Sequence, residues 1–363
     1  MHPHSNTNGS ESLTTTQVKP EVIIETIPLK NGVIFLHGFH IQLKVDRGFL
    51  VISDGYGLHP RERRFTKAID KIRHVIIQGA HGMITLAALE WLNRIGASLT
   101  QITWEGAIIS ATTPNKPDIL LRRAQYDSAY NQTGIMAVQY LQGQKIKKQI
   151  QVLKHYDPHA IYPYNHSLYQ ATDLLSELAR RIQDASSLAE ISPTESFASS
   201  VYWSVLAKTP LTFEPKDLLA IPDHWKVFGL RRSFINRKHN ENATNPSNAM
   251  LNYLYALLYT QTRIGLLKAG FDPSAGILHK DDVYRESFIY DIMEAVRPEV
   301  DDWLLNFIQN NRLPKKYFTV MPAGYIRLSL YLTPQLIETV PLWEKGIEPV
   351  INRIKTILKR KPG

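Results

Sequence analysis

The chain has 363 residues, 44% of them hydrophobic, and its 42 Lys and Arg exceed its 33 Asp and Glu to give a formal net charge of +9. This length and apolar content support a large core and predict two domains rather than a disordered chain. Because Cys is absent, disulfides and thiolate metal sites are excluded, so any metal must be bound by His, Asp and Glu. The basic balance favours an anionic partner, and nucleic acid, a membrane surface or an acidic protein would each fit.

The sequence contains no recognisable signal peptide or membrane-spanning segment. No apolar run approaches the ~20 residues that a membrane helix requires. We therefore expect a soluble, cytoplasmic protein. Residues 1–20 are polar and lack periodicity, which predicts a disordered tail.

Residues 21–113 have the pattern of a β-rich domain. Ile41, Leu43 and Val45 alternate with polar neighbours, as expected for a half-buried strand. Strands are predicted over 22–27, 33–36, 41–45, 49–52, 75–77, 99–104 and 107–110, with one helix over 85–93. A basic cluster in this domain, formed by Arg61, Arg63, Arg64 and Lys67, favours a solvated surface over a phosphate site.

Beyond residue 113 the pattern becomes helical. Pro114 and Pro117 predict a linker over 114–117. A helical domain is predicted over 118–345, beginning with one long helix over 119–156, and a basic tail or helix end over 346–363. Three basic clusters follow the linker: Arg122, Arg123, Lys145, Lys147, Lys148 and Lys154; then Arg231, Arg232, Arg237 and Lys238; then Lys355, Lys359, Arg360 and Lys361. They fit either solvated helix faces or a track for DNA phosphates.

Glu195 has two interpretations. Ser192, Pro193 and Glu195 have the spacing of a capping box with Pro at the first helical position, which would explain the Glu without any chemistry. A functional role is the alternative, and the two are compatible.

A second helix start is predicted at Asn245, with Pro246 at the first helical position. On this helix Asn248 and Asn252 are four residues apart and share one face. They fit either solvated side chains or groups that hold a phosphate, a water or a carboxylate.

The stretch over 276–298 combines a histidine with two carboxylates. Apolar residues at helical spacing predict a buried helix over 286–297, stopped by Pro298. Asp291 and Glu294 share a face of that helix, where unpaired charges would be costly, so we expect a positive group beside them. His279 lies in the preceding loop and is placed to complete a divalent-metal site. The structural alternative is two surface carboxylates and a core histidine.

Four motifs in order carry a resemblance to a known family. They are a Glu opening a helix that runs to a Tyr-Trp pair (195–203), an Asn-Ala-Leu-x-Tyr helix with Met250 inserted (248–253), Gly-x-x-His (276–279) and Asp-x-x-Glu-x-x-Arg-Pro (291–298). The chain resembles the CRISPR-associated spacer-acquisition integrases. Similarity at 76–79, 86–89 and 104–106 extends the resemblance over about residues 22–345.

The resemblance implies an α+β protein in which a β-rich N-terminal domain (21–113) mediates homodimerisation and precedes a larger all-α catalytic domain. It implies Mg²⁺ or Mn²⁺ bound by Glu195, His279 and Glu294, with Asp291 as a further catalytic acid close to the metal. It also implies double-stranded DNA and 3′-ended DNA fragments as partners, together with a small ferredoxin-like adaptation protein. Residues expected to support the ligands or contact DNA are Asn248, Asn252, Tyr253, Arg237, Lys238, Arg285 and Arg297.

The resulting hypothesis is a metal-dependent integrase that joins a DNA 3′-hydroxyl to target DNA by transesterification, and that also cleaves branched DNA. A cation suits this reaction because it lowers the pKa of the hydroxyl and neutralises developing charge on the phosphate. The alternatives are a casposase-type or CRISPR-independent integrase, a nuclease that only hydrolyses DNA, and a non-enzymatic nucleic-acid scaffold. Only 344–363 follow the resembling region, which favours the CRISPR type over the casposase type.

Overall fold

We describe the fold from a computed structural model of the chain. The described residues are 25–56, 59–104, 106–113, 116–155, 166–231, 242–279 and 286–359. Several predictions from the sequence lie outside them: the tail at 1–20, the first half of the strand over 22–27, the first half of the 114–117 linker, and the residues Arg232, Arg237, Lys238, Arg285, Arg360 and Lys361.

Two four-stranded sheets and one helix form the N-terminal region. The strands are β1 (Val33–His37), β2 (Ile41–Asp46), β3 (Phe49–Tyr56), β4 (His59–Phe65), β5 (His74–Gln78), β6 (Gly82–Ile84), β7 (Ser98–Ile102) and β8 (Ile108–Thr112), and the helix is α1 (Leu86–Arg94). One sheet has the order β1-β5-β7-β8, with β8 antiparallel to an otherwise parallel set. The other has the order β4-β3-β2-β6. Residues of both sheets and of α1 share one hydrophobic core.

The predicted strands over 33–36, 41–45, 49–52, 75–77, 99–104 and 107–110 are confirmed in position, and so is the helix over 85–93. The strand predicted over 22–27 is absent from its described part, 25–27, and β4 and β6 were missed. The four-residue basic cluster at 61–67, expected as a solvated surface, lies mostly on β4, and its three arginines form ion pairs. Arg61 Nε donates to Asp54 Oδ1 at 2.7 Å, and the Asp54 carboxylate is buried. Arg63 pairs with Asp70, whereas the Arg64–Asp46 pair and Lys67 are exposed, as expected. The local pattern did not indicate this strand because its charges are neutralised by residues outside it, 7 to 18 positions away.

Helices dominate the remainder of the described chain. They are α2 (Ile119–Ser128), α3 (Gln132–His155), α4 (His166–Asp184), α5 (Leu188–Leu206), α6 (Pro246–Ala269), α7 (Ser287–Glu294), α8 (Arg297–Asn310), α9 (Thr333–Ile337) and α10 (Val340–Leu358), with short 3₁₀ helices at Pro215–Ala220, Asp223–Trp225 and Lys315–Tyr317. A small antiparallel pair, β9 (Phe318–Val320) and β10 (Ile326–Leu328), departs from the expected all-α character. The α+β class, with a β-rich region followed by a larger helical one, is confirmed.

Two helices organise the helical region. Helix α3 packs against α4, α5, α7 and α8, and α6 packs against α7, α8 and α10. Their apolar residues join a single large core. Because α5, α7 and α3 meet in this core, side chains far apart in sequence converge there. No described helix is long and apolar enough to span a membrane.

Three helix boundaries differ from the predictions. The helix expected over 119–156 is two helices, since the chain turns after Ser128 and Gly134 then approaches Ser128 so closely that a Cβ would lie 1.9 Å from its carbonyl oxygen. Pro298 does not stop the helix of Asp291: α7 already ends at Glu294, and Pro298 occupies the first turn of α8, where a missing N–H costs nothing. Helix α10 continues across residue 345 to Leu358, so the helical region extends beyond its expected end, and of the two alternatives for 346–363, a basic tail or a helix end, the described part is a helix end.

Candidate metal centre

Glu195 lies inside α5, not in its first turn. The helix begins at Leu188 after the N-cap position Ser187. Glu190 completes the start of the helix, because its carboxylate accepts from the Ser186 backbone N–H and the Ser187 hydroxyl, both at 3.0 Å. The capping-box interpretation of Ser192 and Glu195 is therefore wrong. The sequence holds two Ser-x-x-Glu signals, at 187–190 and 192–195, and the helix begins at the first. Capping gives no structural reason for a Glu at position 195.

The carboxylates of Glu195 and Glu294 converge on one ammonium group. Lys145 projects from α3, is almost fully buried, and forms ion pairs with both, at 2.5 Å to Glu294 Oε2. Ser199 donates a further hydrogen bond to Glu195 Oε1 at 2.7 Å. On its other side, the Glu294 carboxylate pairs with the guanidinium of Arg297, one helical turn further along the chain. The positive group expected beside Glu294 is thus present twice.

These contacts keep the buried groups charged. Burial by itself would raise the pKa of Glu294, but the charges of Arg297 and Lys145 outweigh it and lower this pKa to about 2. Burial would likewise lower the pKa of Lys145, and the charges of Glu294 and Glu195 reverse this effect, so the pKa is raised. The cluster is therefore a set of mutually compensating ions.

Asp291 holds the loop that carries His279. Its Oδ2 accepts from the backbone N–H groups of Ile277 and Leu278 at 2.6 and 3.1 Å, and its Oδ1 accepts from the backbone N–H of His279 at 3.0 Å. The same Oδ1 lies 2.6 Å from His279 Nδ1. Both oxygens are thus occupied, and this pairing leaves His279 Nε2 as the ring nitrogen available to a ligand. Asp291 has the contacts of a residue that positions His279.

His279 is held close to Asp291 and Glu294. Burial opposes its protonation, but the hydrogen bond from the ring to Asp291 and the charges of Asp291 and Glu294 outweigh that penalty, so the pKa of His279 is raised. Tyr290 packs beside the imidazole, with ring centroids 6.0 Å apart. The ring orientation is therefore fixed by a carboxylate on one side and an aromatic on the other.

The donor set suits a hard divalent cation. Carboxylate oxygens with one imidazole nitrogen are ligands that Mg²⁺ and Mn²⁺ accept, and Glu195 and Glu294 already converge on a cation. That cation is the Lys145 ammonium, and over the described parts of the chain no three His, Asp or Glu side chains lie close enough together to hold a metal as they stand. The assignment of Glu195, His279 and Glu294 as ligands stays a prediction.

The two asparagines of α6 share one arginine. Asn245 caps the helix as predicted, accepting from the Asn248 N–H at 2.9 Å. Arg231 donates to Asn248 Oδ1 at 2.7 Å and to Asn252 Oδ1 at 3.1 Å, and its guanidinium lies over the rings of Trp203 and Tyr255. The shared face of Asn248 and Asn252 therefore binds a side chain of this protein, an alternative that the sequence did not suggest.

A further buried carboxylate, Asp301, lies on α8 near this arginine. Asp301 accepts hydrogen bonds from the hydroxyls of Tyr202 at 3.0 Å and Tyr255 at 2.6 Å. Its pKa is raised to about 6 because burial outweighs those hydrogen bonds and the charges of Arg231 and Arg297. Asp301, Tyr202 and Tyr255 form a hydrogen-bonded group, the Asp301 cluster, that joins α5, α6 and α8.

Two of the residues expected to support the ligands or contact DNA have internal roles here. Tyr253 is only 1% exposed and packs against Gly106 of the N-terminal region, which leaves no ring surface for a DNA strand. Arg297 pairs with Glu294 and lies over the Tyr255 ring at 5.2 Å. Tyr253 therefore has no exposed surface for DNA, and Arg297, which is partly exposed, has the contacts of a residue that supports Glu294.

Several described members of the three basic clusters are used within the fold. Arg122 donates to Gly270 O and Phe271 O, Lys148 pairs with Glu299, Lys355 donates to Ala269 O, and Lys359 reaches Asp118. Lys147 and Lys154 stay exposed on α3. A continuous phosphate track across all three clusters is not supported by the described residues.

Sequence reasoning placed Lys145 and Arg231 in basic clusters without recognising their partners in the fold, and it did not name Asp301. A signal existed for Lys145, because it lies on the buried stripe of α3 with Leu141 and Gln149, where an apolar residue would be expected. Arg231 and Asp301 had no such signal, since their partners come from other helices.

Comparisons with known proteins agree on one family. A sequence model described as CRISPR associated protein Cas1 matches residues 34–340. The CRISPR-associated endonuclease Cas1 1 of Chlorobaculum tepidum is 28% identical over 240 residues, 65% of each chain, so the match spans just under two thirds of that relative. The CRISPR-associated endonuclease Cas1 of Korarchaeum cryptofilum is 25% identical over 290 residues, covering 77% of this chain and 78% of the relative.

Solved structures share the fold. A casposase bound to integration product superposes with a TM-score of 0.70 at 20% identity, covering 91% of this chain and 96% of the other. A CAS1 protein from Thermotoga maritima gives a TM-score of 0.66 at 17% identity, covering 92% and 97%. At such identities the similarity shows the fold alone.

Proposed function

Because the chain belongs to the CRISPR associated protein Cas1 family, we propose that it is a metal-dependent DNA integrase that joins a DNA 3′-hydroxyl to target DNA by transesterification. The observation that carries this proposal is the convergence of Glu195 and Glu294, from two helices, on one cation beside the anchored His279. The curated relatives are named endonucleases, and cleavage of branched DNA is the same transesterification in reverse.

The proposed role of a bound Mg²⁺ or Mn²⁺ is to lower the pKa of the attacking hydroxyl and to neutralise charge on the phosphate. Glu195, Glu294 and His279 would hold the metal. Asp291 would fix the imidazole so that Nε2 faces the centre, as carboxylate partners of metal-bound histidines do. Arg297 would keep Glu294 ionised in its buried position, since an unpaired carboxylate there would take up a proton.

The proposed partners follow from the family and from titles of related structures. A casposase of this fold was solved with its integration product, and a similar chain occurs in a complex titled Cas6-RT-Cas1–Cas2. We propose double-stranded DNA and 3′-ended fragments as substrates. We also propose that the chain forms a homodimer through its N-terminal region, binds a small ferredoxin-like protein and acts in the cytoplasm.

A strand-transfer assay tests the reaction. A labelled target duplex is incubated with an oligonucleotide bearing a free 3′-hydroxyl, in Mn²⁺, in Mg²⁺ and in EDTA. The integrase predicts a product longer than the target that requires the metal. Glu195→Gln and His279→Ala should lose this product while binding duplex DNA as the parent does.

Two outcomes would replace the proposal. Shortened fragments without any joined product, in the presence of metal, would indicate a nuclease that only hydrolyses DNA. Joining that persists in Glu195→Gln or in EDTA would remove the metal centre from the reaction. A target carrying a CRISPR repeat, compared with a scrambled duplex, then separates spacer integration from a casposase-type or CRISPR-independent integrase.

A further inference from the structure

Lys145 occupies an unusual position for a lysine. Its side chain is 8% exposed, and its ammonium contacts two carboxylates that belong to different helices. Lysine is seldom buried unless it is paired, and here it is paired with the two proposed carboxylate ligands. One cation therefore lies where the metal would have to bind.

The charges of this cluster already balance. Glu195 and Glu294 contribute two negative charges, and Lys145 and Arg297 contribute two positive ones. A divalent ion added to this neutral set would bring two positive charges next to a fixed ammonium in a buried region, where repulsion is weakly screened. Binding is much more favourable if one resident cation leaves, and Lys145 is the one that lies between both carboxylates.

Helix α3 offers the departing ammonium other acceptors. Gln142 and Gln149 are buried on the same face as Lys145, three residues before it and four residues after it. The side-chain oxygen of each accepts no hydrogen bond from any described residue. A lysine side chain has a flexible four-carbon stem and three rotatable donors, so it can exchange its carboxylate partners for an amide oxygen along its own helix.

We propose that Lys145 is an exchangeable counter-ion: it neutralises Glu195 and Glu294 in the metal-free protein, and a divalent cation displaces it when the centre is loaded. This inference rests on the proposed metal-dependent function. Metal binding is then a competition between two cations for the same carboxylates. The alternative is that Lys145 is a permanent structural partner and the metal binds beside it.

Binding of Mn²⁺ alone to the DNA-free protein, measured by calorimetry and by the spectroscopic signal of free Mn²⁺, tests the exchange. Lys145→Met removes the competing charge and keeps the length of the side chain. We expect its Kd for Mn²⁺ to fall by about tenfold or more. Without metal its melting temperature should be lower than that of the parent, and Mn²⁺ should raise it by a larger margin.

Lys147→Met is the matched control. Lys147 lies on the same helix, two residues from Lys145, and is exposed to solvent. Its loss should change the Kd for Mn²⁺ by less than about twofold. Glu294→Gln assigns the signal, because binding at this centre should disappear in that variant.

The outcomes separate the inference from the function on which it rests. Equal or weaker Mn²⁺ binding by Lys145→Met, with binding lost in Glu294→Gln, would overturn the exchange and leave the metal centre in place. Absence of Mn²⁺ binding in the parent and in Lys145→Met would overturn both. If Lys145→Met does not fold, Lys145→Arg keeps the charge and holds carboxylates more firmly through its planar fork. Exchange then requires a higher Kd for Mn²⁺ than in the parent, and an unchanged Kd would overturn it.

Discussion

Two buried carboxylates on consecutive helices have opposite electrostatic behaviour. Glu294, at the end of α7, is bounded by Lys145 and Arg297, and its pKa is lowered to about 2. Asp301, on α8, is bounded by two tyrosine hydroxyls, and burial raises its pKa to about 6. Neutral donors do not replace the hydration that a carboxylate loses, whereas full charges in contact do. Partner chemistry, more than burial, therefore decides which carboxylate is ready to bind a cation.

The two clusters also differ in what their partners can do. A lysine ammonium is flexible and exchangeable, whereas the hydroxyls of Tyr202 and Tyr255 are held by rings packed in the core. Glu294 thus belongs to a centre whose cation can change. Asp301 belongs to a cluster that joins three helices and stabilises the packing around the centre.

The largest expected difference between the two carboxylates lies in catalysis. Glu294→Gln removes a proposed metal ligand, and DNA joining should fall ~10³-fold, because metal polarisation supplies several kcal/mol to such reactions. Asp301→Asn, the matched change one helix away, should keep the joining rate within ~3-fold. Both rates are measured in the strand-transfer assay at saturating Mn²⁺. Equal losses of joining rate in the two variants would contradict the assignment of Glu294 to the metal centre and of Asp301 to a purely structural cluster.

The pH dependence of stability is the second property that should distinguish Asp301 from Glu294. The pKa of Asp301 is about 6 in the folded protein and about 3.9 in an unfolded chain. Between these values the folded state holds a proton that the unfolded state has released, so the free energy of unfolding falls as pH rises from about 4 to about 6. Linkage sets the full loss at ~3 kcal/mol.

Asp301→Asn should remove this part of the pH dependence. Urea unfolding of the parent and the variant at intervals from pH 4 to 7 measures it. The difference between the two unfolding free energies should change across this range and be constant above it. A difference that does not vary with pH would show that Asp301 is ionised throughout.

Loss of the His279 anchor should have a smaller effect on the centre. Asp291→Asn replaces the acceptor of His279 Nδ1 and weakens its contacts with three backbone N–H groups. We expect Mn²⁺ affinity to fall between about tenfold and a hundredfold, as for other partners of metal-bound histidines. Asp272→Asn is the control, because Asp272 lies in the same loop and bonds Tyr126 instead. Similar losses in both variants would indicate a general loosening of the loop.

The smallest expected effect is on stability and concerns the hydroxyls of the Asp301 cluster. Tyr255→Phe and Tyr202→Phe each remove one hydroxyl from Asp301 and should lower the free energy of unfolding at pH 7 by ~1–2 kcal/mol. Tyr259→Phe removes a half-buried hydroxyl bonded to Glu286 and should cost less. Denaturant melts of the three variants give the order, and a larger cost for Tyr259→Phe would contradict it.

The sequence predicted local features well and missed the pairings between distant ones. Strands β1, β2 and β5 follow from alternation and apolar runs, which depend on neighbouring residues. Strand β4 was hidden because Arg61 and Arg63 are neutralised by Asp54 and Asp70, and no local pattern records such pairings.

For the candidate centre, too, local features were predicted and pairings between different helices were missed. The motifs directed attention to Glu195, His279 and Glu294, and the helix pattern correctly required a cation beside Glu294. Which cation it was depended on the packing of α3 against α5 and α7. Lys145 therefore could not be identified by a rule that places lysines on solvated faces.

Helix α6 connects the centre to the opposite part of the molecule. Its N-terminal turns carry Asn248 and Asn252, which hold Arg231, and its later turns carry Gln261, whose amide lies 3.1 Å from Nδ1 of His74 in β5. Tyr253, one residue after Asn252, also packs against Gly106 of the N-terminal region. A shift of the helix along its axis would therefore move the Arg231 contacts and the contacts with the N-terminal region together.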